Sequence, residues 1–321
     1  MRAVFLDQLT FCQQVSFSSI EAEVSELICY PTTSPEQVLQ RCEQASIIIS
    51  NKVVINAETL AGLPQLKLIC IAATGVNNVD LLAAKKLGIA VTNVSGYARQ
   101  SVAQYVMAQI LAYYNQTSHH NNNTKKGLWQ KSNTFCVHGN GFTELAGKTL
   151  GIIGYGTLGK AVSKLAQAFD MEVLIAERAN ENVVRENRHN FNEVLQQADI
   201  ISLHCPQTPL TEQLINYERL ALMKPTAMLI NTARGALIDN EALLKALQSK
   251  QIAFAVLDVL EQEPPMSDHI LIKHLQSDAI DNLRITAHIA WASNEAQQRL
   301  LNLIAKNISV FKKGEALNRV E

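Results

Sequence analysis

Three polar residues each stand just beyond an apolar run. Arg234 follows Met228-Leu229-Ile230-Asn231-Thr232-Ala233, Glu263 follows Ala253–Leu257 by a short loop, and His288 follows Arg284-Ile285-Thr286-Ala287. In open α/β sheets, ligands bind beyond the carboxyl ends of strands. Three such residues after three successive strands can therefore meet over one crevice. Their chemistry is complementary. An imidazole gives and takes a proton near neutral pH. A carboxylate beside it, here Glu263, favours the imidazolium and holds the ring. A guanidinium, here Arg234, grips a carboxylate with its planar fork and polarises a ketone. Such a set suits proton delivery to a ketone oxygen while a hydride reaches the ketone carbon. Taken singly, each residue has a plainer role: Arg234 in a surface ion pair, Glu263 opening a proline-containing loop, His288 as a hydrogen-bonded structural histidine.

A hydride needs a carrier, and a second motif suits one. Gly154-Tyr155-Gly156-Thr157-Leu158-Gly159 fits G-x-G-x-x-G, follows the apolar run Thr149–Ile153 and opens a helical pattern over Lys160–Phe169. Alone the pattern is weak, and a structural glycine turn is the plain alternative. The strand, the helix and an acid at the next strand end raise it. Gly154 permits a tight turn, Gly156 lets the backbone approach a pyrophosphate, and Gly159 lets helix and strand close up. Glu177 ends the run Glu172–Ala176, 18 residues beyond Gly159 (177 − 159), where a carboxylate accepts both ribose hydroxyls of adenosine. That carboxylate repels a 2′-phosphate, so NAD is expected as cofactor over NADP. Arg178 beside it could pair with a phosphate if Glu177 turned away.

These residues need elements to hold them, and the chain supplies an alternating series. Strands are expected at Ala3–Leu6, Ile47–Ser50, Leu68–Ala72 and Ile89–Thr92, then at Thr149–Ile153, Glu172–Ala176, Asp199–Leu203, Met228–Asn231, Ala253–Leu257 and Arg284–Thr286. Helical patterns lie between most of them, including Ser101–Tyr114 and about Trp291–Phe311. Short apolar runs alternating with helices predict parallel sheets with crossover helices. The same order appears twice, so two α/β halves are expected. The polar stretch Asn115–Gly127 reads as an exposed loop with a frayed helix end, and His119 and His120 as solvated residues rather than metal ligands. Trp129 beside it reads as a packing residue.

Composition excludes several classes. Basic and acidic residues nearly cancel, 28 against 29, which leaves no footprint for nucleic acid. With 47% hydrophobic residues the chain has ample material for a core. The most apolar long stretch is broken by Gln104 and Gln109 and is too short for a membrane. The N-terminus reaches Asp7 too soon for a signal peptide. Cys12, Cys29, Cys42, Cys70, Cys136 and Cys205 are scattered, with no C-x-x-C, so neither a metal site nor a disulfide framework is expected. A soluble, reduced, cytoplasmic protein is the expectation.

Together these motifs resemble the D-isomer-specific 2-hydroxyacid dehydrogenase family over essentially the whole chain. The resemblance rests on the glycine turn, Leu203-His204-Cys205-Pro206-Gln207-Thr208, Asn231-Thr232-Ala233-Arg234-Gly235, Ala255-Val256-Leu257-Asp258-Val259, Glu263-Pro264 and Ala287-His288-Ile289-Ala290. It implies two Rossmann-like, doubly wound parallel-sheet domains with the active site in the cleft between them. Residues 1–99 and 288–321 would form a discontinuous substrate domain, and 100–287 an NAD-binding domain. It makes Arg234 the substrate-binding arginine, His288 the acid/base and Glu263 its partner. It places Asp258 near the nicotinamide carboxamide, with Thr232, Cys205 and Pro206 along the cofactor. Ala73-Thr74-Gly75 resembles the loop whose N–H groups hold the substrate carboxylate. A homodimer built through the cofactor domain is also implied, with the helix Ser101–Tyr114 as candidate contact.

Within the family the chain most resembles the glycerate dehydrogenase/hydroxypyruvate reductase type. The stretches Ala72–Asp80, Asn93–Tyr97, Leu145–Leu150 and His288–Ser293 carry that likeness. The expected reaction interconverts a 2-keto acid and a D-2-hydroxy acid, with hydroxypyruvate and glyoxylate as candidate substrates. An alternative from another class is a non-catalytic NAD(H)-sensing protein of the same fold, which is expected to carry partner-binding tails. A D-lactate-type dehydrogenase is another alternative. A formate-oxidising relative is expected to carry glutamine where Glu263 stands.

Overall fold

The computed structural model describes residues 1–321 except Asn140, Asn182 and Asp278. The chain divides into two compact units, Met1–Ala98 with Trp291–Glu321, and Arg99–Ala290.

The first unit contains β1 (Arg2–Phe5), β2 (Glu26–Cys29), β3 (Ile47–Ser50), β4 (Leu68–Ile71) and β5 (Ala90–Thr92), in sheet order β2-β1-β3-β4-β5 with parallel ladders. β3 and β4 are buried along their whole length. Parallel strands covered on both faces read as continuous apolar runs, which Ile47-Ile48-Ile49 and Leu68-Ile69-Cys70-Ile71 are. β2 has no such signature. It is a short edge strand beginning with exposed Glu26, and periodicity gives it no signal. The helix Asn294–Lys312 completes this unit. Its Ala296, Leu300, Leu301, Ile304 and Ile308 are buried at helical spacing, and Ser293 caps it by accepting the N–H of Ala296.

The second unit contains β6 (Thr149–Ile153), β7 (Glu172–Ile175), β8 (Ile200–Leu203), β9 (Met228–Asn231), β10 (Phe254–Leu257) and β11 (Leu283–Ile285). Their order is β11-β10-β9-β8-β6-β7, all parallel. Registers align Ile153 with Leu203, Leu203 with Asn231, Asn231 with Leu257, and Leu257 with Ile285. Five strands therefore end in one row. The helix Arg99–Asn115 packs against the helix Thr157–Gln167, whose buried side carries Gly159, Val162, Ser163 and Ala166.

Two expectations are corrected here. Residues Thr117–Lys125 form a helix rather than a loop. None of its residues is buried, so no apolar stripe marks it in the sequence. Trp129 is 55% exposed and donates through Nε1 to the carbonyl of Phe135, so it is no core residue.

Candidate active site

Arg234 and His288 each stand three residues past their strands, β9 and β11, and Glu263 stands six residues past β10, all beyond the row of strand ends. Neighbouring strands lie about 4.8 Å apart, so the residues following β9, β10 and β11 span roughly 10 Å.

The glycine turn follows β6. The strand order reverses at this point, since β7 lies on one side of β6 and β8 on the other. Gly154 has φ +96°, and a Cβ there would stand 2.4 Å from the backbone nitrogen of Cys205. A Cβ on Gly159 would stand 2.2 Å from the Gly154 carbonyl oxygen. Both glycines are required by close backbone approach. Gly156 differs: beyond its own chain neighbours, no heavy atom of the described residues lies within 4 Å of the position its Cβ would take. The turn is thus fixed by Gly154 and Gly159 and bare at Gly156. Gly156 caps the helix that starts at Thr157, so the N–H groups of Thr157, Leu158 and Gly159 belong to its first turn. Tyr155 lies between the first two glycines with Lys160 Nζ 5.8 Å from its ring centre.

A dinucleotide fits these residues on a second observation. Thr232, just past β9, is buried, and its Oγ1 has no hydrogen-bond partner among the described residues. A buried hydroxyl without a partner is costly, and a bound ligand can supply one.

Glu177 lies two residues past β7 and is only 3% exposed. The sequence pointed to Arg178 as its cationic neighbour. The guanidinium that meets it belongs to Arg185, which donates through Nε to Oε2 at 2.7 Å and through Nη2 to Oε1. Arg178 contributes its backbone N–H to Oε1 at 2.9 Å, and its side chain faces Glu181 at 3.7 Å. The Arg185 hydrogen bonds hold the Glu177 carboxyl down at about 2.

His204 and Cys205 follow β8. Burial pushes the Cys205 thiol up to about 11, which removes it as a nucleophile near neutral pH. Burial lowers His204 to about 4, so it is neutral. Pro206 begins a loop in which its carbonyl accepts from Thr211 Oγ1 at 2.8 Å.

Arg234 follows β9 in extended backbone and is half-buried. Asn231, fully buried, shapes the turn beneath it. Its Oδ1 accepts the N–H of Ala233 at 3.0 Å and its Nδ2 donates to the Arg234 carbonyl at 2.8 Å. Arg234 Nη1 donates to the Ala233 carbonyl at 2.7 Å.

His288 Nδ1 meets Glu263 Oε2 at 2.6 Å. The second Glu263 oxygen accepts the N–H of Leu260 at 3.0 Å, which fixes the carboxylate against its own loop. His288 has φ +54°, a strained conformation for a non-glycine residue. Asp258 holds it there. The His288 N–H donates to the Asp258 carbonyl at 2.8 Å. The Asp258 carboxylate accepts the N–H of Ile289 at 2.9 Å, the N–H of Ala290 at 2.8 Å and the hydroxyl of Thr286 at 2.6 Å. Burial raises the Asp258 carboxyl, and these hydrogen bonds oppose the rise.

The helix Arg99–Asn115 adds two residues that the sequence did not single out. Tyr105 OH lies 2.5 Å from Thr286 Oγ1, and Ser101 Oγ donates to the Ala290 carbonyl at 2.7 Å. They stand four residues apart, hence on one helix face.

Ala73, Thr74 and Gly75 belong to the first unit, beyond the carboxyl end of β4. Thr74 Oγ1 donates to the Val94 carbonyl at 2.9 Å, and the Thr74 carbonyl accepts Asn93 Nδ2 at 2.8 Å. Among the described residues no group of three or more His, Cys, Asp or Glu is placed to hold a metal ion, and no helix is long and apolar enough to cross a membrane.

A parallel sheet with a glycine turn at its reversal point, and an imidazole–carboxylate pair along the same edge, defines a dinucleotide-binding oxidoreductase of the α/β class. Comparison with known proteins makes the class specific. Residues 107–290 match the family model described as "D-isomer specific 2-hydroxyacid dehydrogenase, NAD binding domain". Glycerate dehydrogenase of Methylorubrum extorquens is 41% identical over 322 residues, covering 100% of this chain and 99% of that protein. Hydroxypyruvate reductase of Blautia hydrogenotrophica is 37% identical over 313 residues, covering 95% of each. The crystal structure of TT0316 protein from Thermus thermophilus aligns over 100% of both chains with a TM-score of 0.84 and 32% identity. The chain belongs to the D-isomer-specific 2-hydroxyacid dehydrogenase family.

Proposed function

We propose that this protein is an NADH-dependent reductase of small 2-keto acids, with hydroxypyruvate and glyoxylate as substrates and D-glycerate and glycolate as products. The observation that carries the reading is the 2.6 Å contact between His288 Nδ1 and Glu263 Oε2. With Nδ1 committed to a carboxylate, Nε2 is the nitrogen left to exchange a proton with substrate. His288 gives that proton to the ketone oxygen on reduction and takes it back on oxidation. Glu263 orients the ring and stabilises the imidazolium. Arg234 grips the substrate carboxylate and polarises the ketone, and the Ala73–Gly75 loop of the first unit is read as a carboxylate-binding loop through its N–H groups. The nicotinamide, when bound, supplies or receives the hydride. Gly154–Gly159, Glu177, Cys205, Pro206, Thr232 and Asp258 line the dinucleotide's binding site in this reading. Likeness to the glycerate dehydrogenase and hydroxypyruvate reductase above supports the substrate choice.

In the same reading, residues Met1–Ala98 with Trp291–Glu321 serve the substrate and Arg99–Ala290 the dinucleotide. Six free cysteines suit a reducing, cytoplasmic setting. The protein is read as a homodimer through the second unit, and a monomeric mass in light scattering would refute that.

The deciding experiment follows loss of NADH absorbance with hydroxypyruvate, glyoxylate, pyruvate and larger keto acids, in wild type and His288→Ala. Turnover on hydroxypyruvate or glyoxylate, lost in the variant while NADH still binds, is expected. NADH binding without turnover on any keto acid would favour the dinucleotide-sensing alternative.

A further inference from the structure

Glu177 has no acceptor site left for a ribose. A carboxylate offers about four lone-pair positions. Here they receive the backbone N–H of Arg178 at 2.9 Å, the backbone N–H of Arg185 at 3.2 Å, Arg185 Nε at 2.7 Å and Arg185 Nη2. The two backbone donors are fixed by the chain. The two side-chain donors are not: the Arg185 side chain is 54% exposed, whereas that of Glu177 is 2% exposed. A ribose diol therefore reaches Glu177 only by replacing the Arg185 guanidinium, which is free to swing into water.

A 2′-phosphate meets the opposite situation. Repulsion by Glu177 is what discriminates against it, and the Arg185 pair cancels that charge at contact distance. A guanidinium has five N–H donors. Two are spent on Glu177, and three remain for a phosphate without breaking the pair. The neighbouring pocket, lined by Tyr155, Lys160, Ile175, Glu186, Asn187 and Arg188, brings two cations, Lys160 and Arg188, and one anion, Glu186, so it adds a net positive charge beside Arg185.

We propose that Arg185 sets the choice between NADH and NADPH in this chain, opposing the ribose diol of one and supporting the 2′-phosphate of the other. The proposal rests on the reading of the glycine turn and Glu177 as the dinucleotide site. It makes the protein a user of both cofactors rather than one closed to NADPH by its acid.

The test is direct binding, by calorimetry or nicotinamide fluorescence, of NADH and NADPH to wild type, Arg185→Ala and Arg178→Ala. Wild type is expected to bind the two with Kd values within about tenfold of each other. Arg185→Ala is expected to weaken NADPH and leave NADH equal or tighter, raising the NADPH-to-NADH Kd ratio at least about tenfold. Arg178→Ala is the control, because its exposed side chain faces Glu181. A ratio unchanged in Arg185→Ala while NADH still binds overturns the proposal alone. So does a ratio moved as far by Arg178→Ala, since a diffuse positive field would then explain it. Failure of wild type to bind either dinucleotide overturns the site reading and this proposal with it.

Discussion

Asp258 and His288 are joined through the main chain, with the His288 N–H on the Asp258 carbonyl at 2.8 Å. The Asp258 carboxylate then collects the next two N–H groups, those of Ile289 and Ala290. Asp258 is 1% exposed, and three of the about four lone-pair positions of its carboxylate are taken by the turn that carries His288. Asp258→Asn keeps the size and loses an acceptor oxygen. Its amide turns a donor toward an N–H or a hydroxyl that already donates, leaving a buried donor unpaired at a cost of about 1–3 kcal/mol. The left-handed backbone at His288 loses its support. The expected outcome is a kcat reduced by about tenfold or more with NADH affinity changed only a few-fold, since the damage is to His288 geometry. Turnover together with NADH titration checks it, and an unchanged kcat would remove Asp258 from this positioning role.

Tyr105 extends the same network. Thr286 donates to Asp258 Oδ1 at 2.6 Å, so the Tyr105 hydroxyl donates to Thr286 Oγ1 at 2.5 Å. Burial raises the Tyr105 phenol, which keeps it protonated for that task. Tyr105→Phe is expected to cost about 1 kcal/mol of stability and to lower kcat less than Asp258→Asn does. The two changes should not add, because both act through Thr286. A double-mutant cycle on unfolding free energy should return a coupling of about 0.5 kcal/mol or more. Additive losses would show that the hydroxyl is merely local.

Much of the second unit was legible because its inner strands, β6, β8, β9 and β10, are buried on both faces. Met228–Asn231 and Thr149–Ile153 were bounded from their apolar runs as the structure bounds them. His288, Glu263 and Arg234 stood out because polar groups follow such runs. What was hidden has a physical reason in each case. Ser101 and Tyr105 sit inside an apolar helical pattern, and their partners lie 189 and 181 residues away, so no local spacing reports them. Arg185 lies eight residues beyond Glu177 in irregular chain, and only the fold turns it back. The helix Thr117–Lys125 is polar all round and carries no periodic signal.

Gly154 and Gly156 should respond to alanine in opposite ways. At Gly154 the new Cβ would stand 2.4 Å from the Cys205 nitrogen, with φ at +96°. The turn must move, and a large fall in the melting temperature is expected, of the size set by several kcal/mol. At Gly156 the new Cβ meets nothing within 4 Å among the described residues beyond its chain neighbours. Gly156→Ala should melt within a few degrees of wild type while NADH affinity drops by about tenfold or more, because the methyl stands where the pyrophosphate must approach. Thermal melts paired with NADH titrations separate the two. Wild-type NADH affinity in Gly156→Ala would show that the bare side of the turn is not the phosphate site.

His204 predicts an acid limb in stability. Burial lowers it from 6.5 to about 4, and its Nδ1 is buried without a hydrogen-bond partner among the described residues. Above pH 6.5 the ring is neutral in both folded and unfolded chains, so it adds no pH dependence there. Below 6.5 the unfolded chain takes up a proton that the folded chain refuses. Stability is then lost as pH falls through the window from about 6.5 to about 4, and levels off below it. The full window corresponds to about 3 kcal/mol, and the part above pH 5 to about 2 kcal/mol. His204→Asn has no proton to take up. Its loss of unfolding free energy between pH 7.5 and pH 5 should be smaller than that of wild type by about 2 kcal/mol. Urea unfolding followed by circular dichroism at the two pH values measures this difference. Equal losses in both proteins would mean that the ring becomes protonated in the folded state.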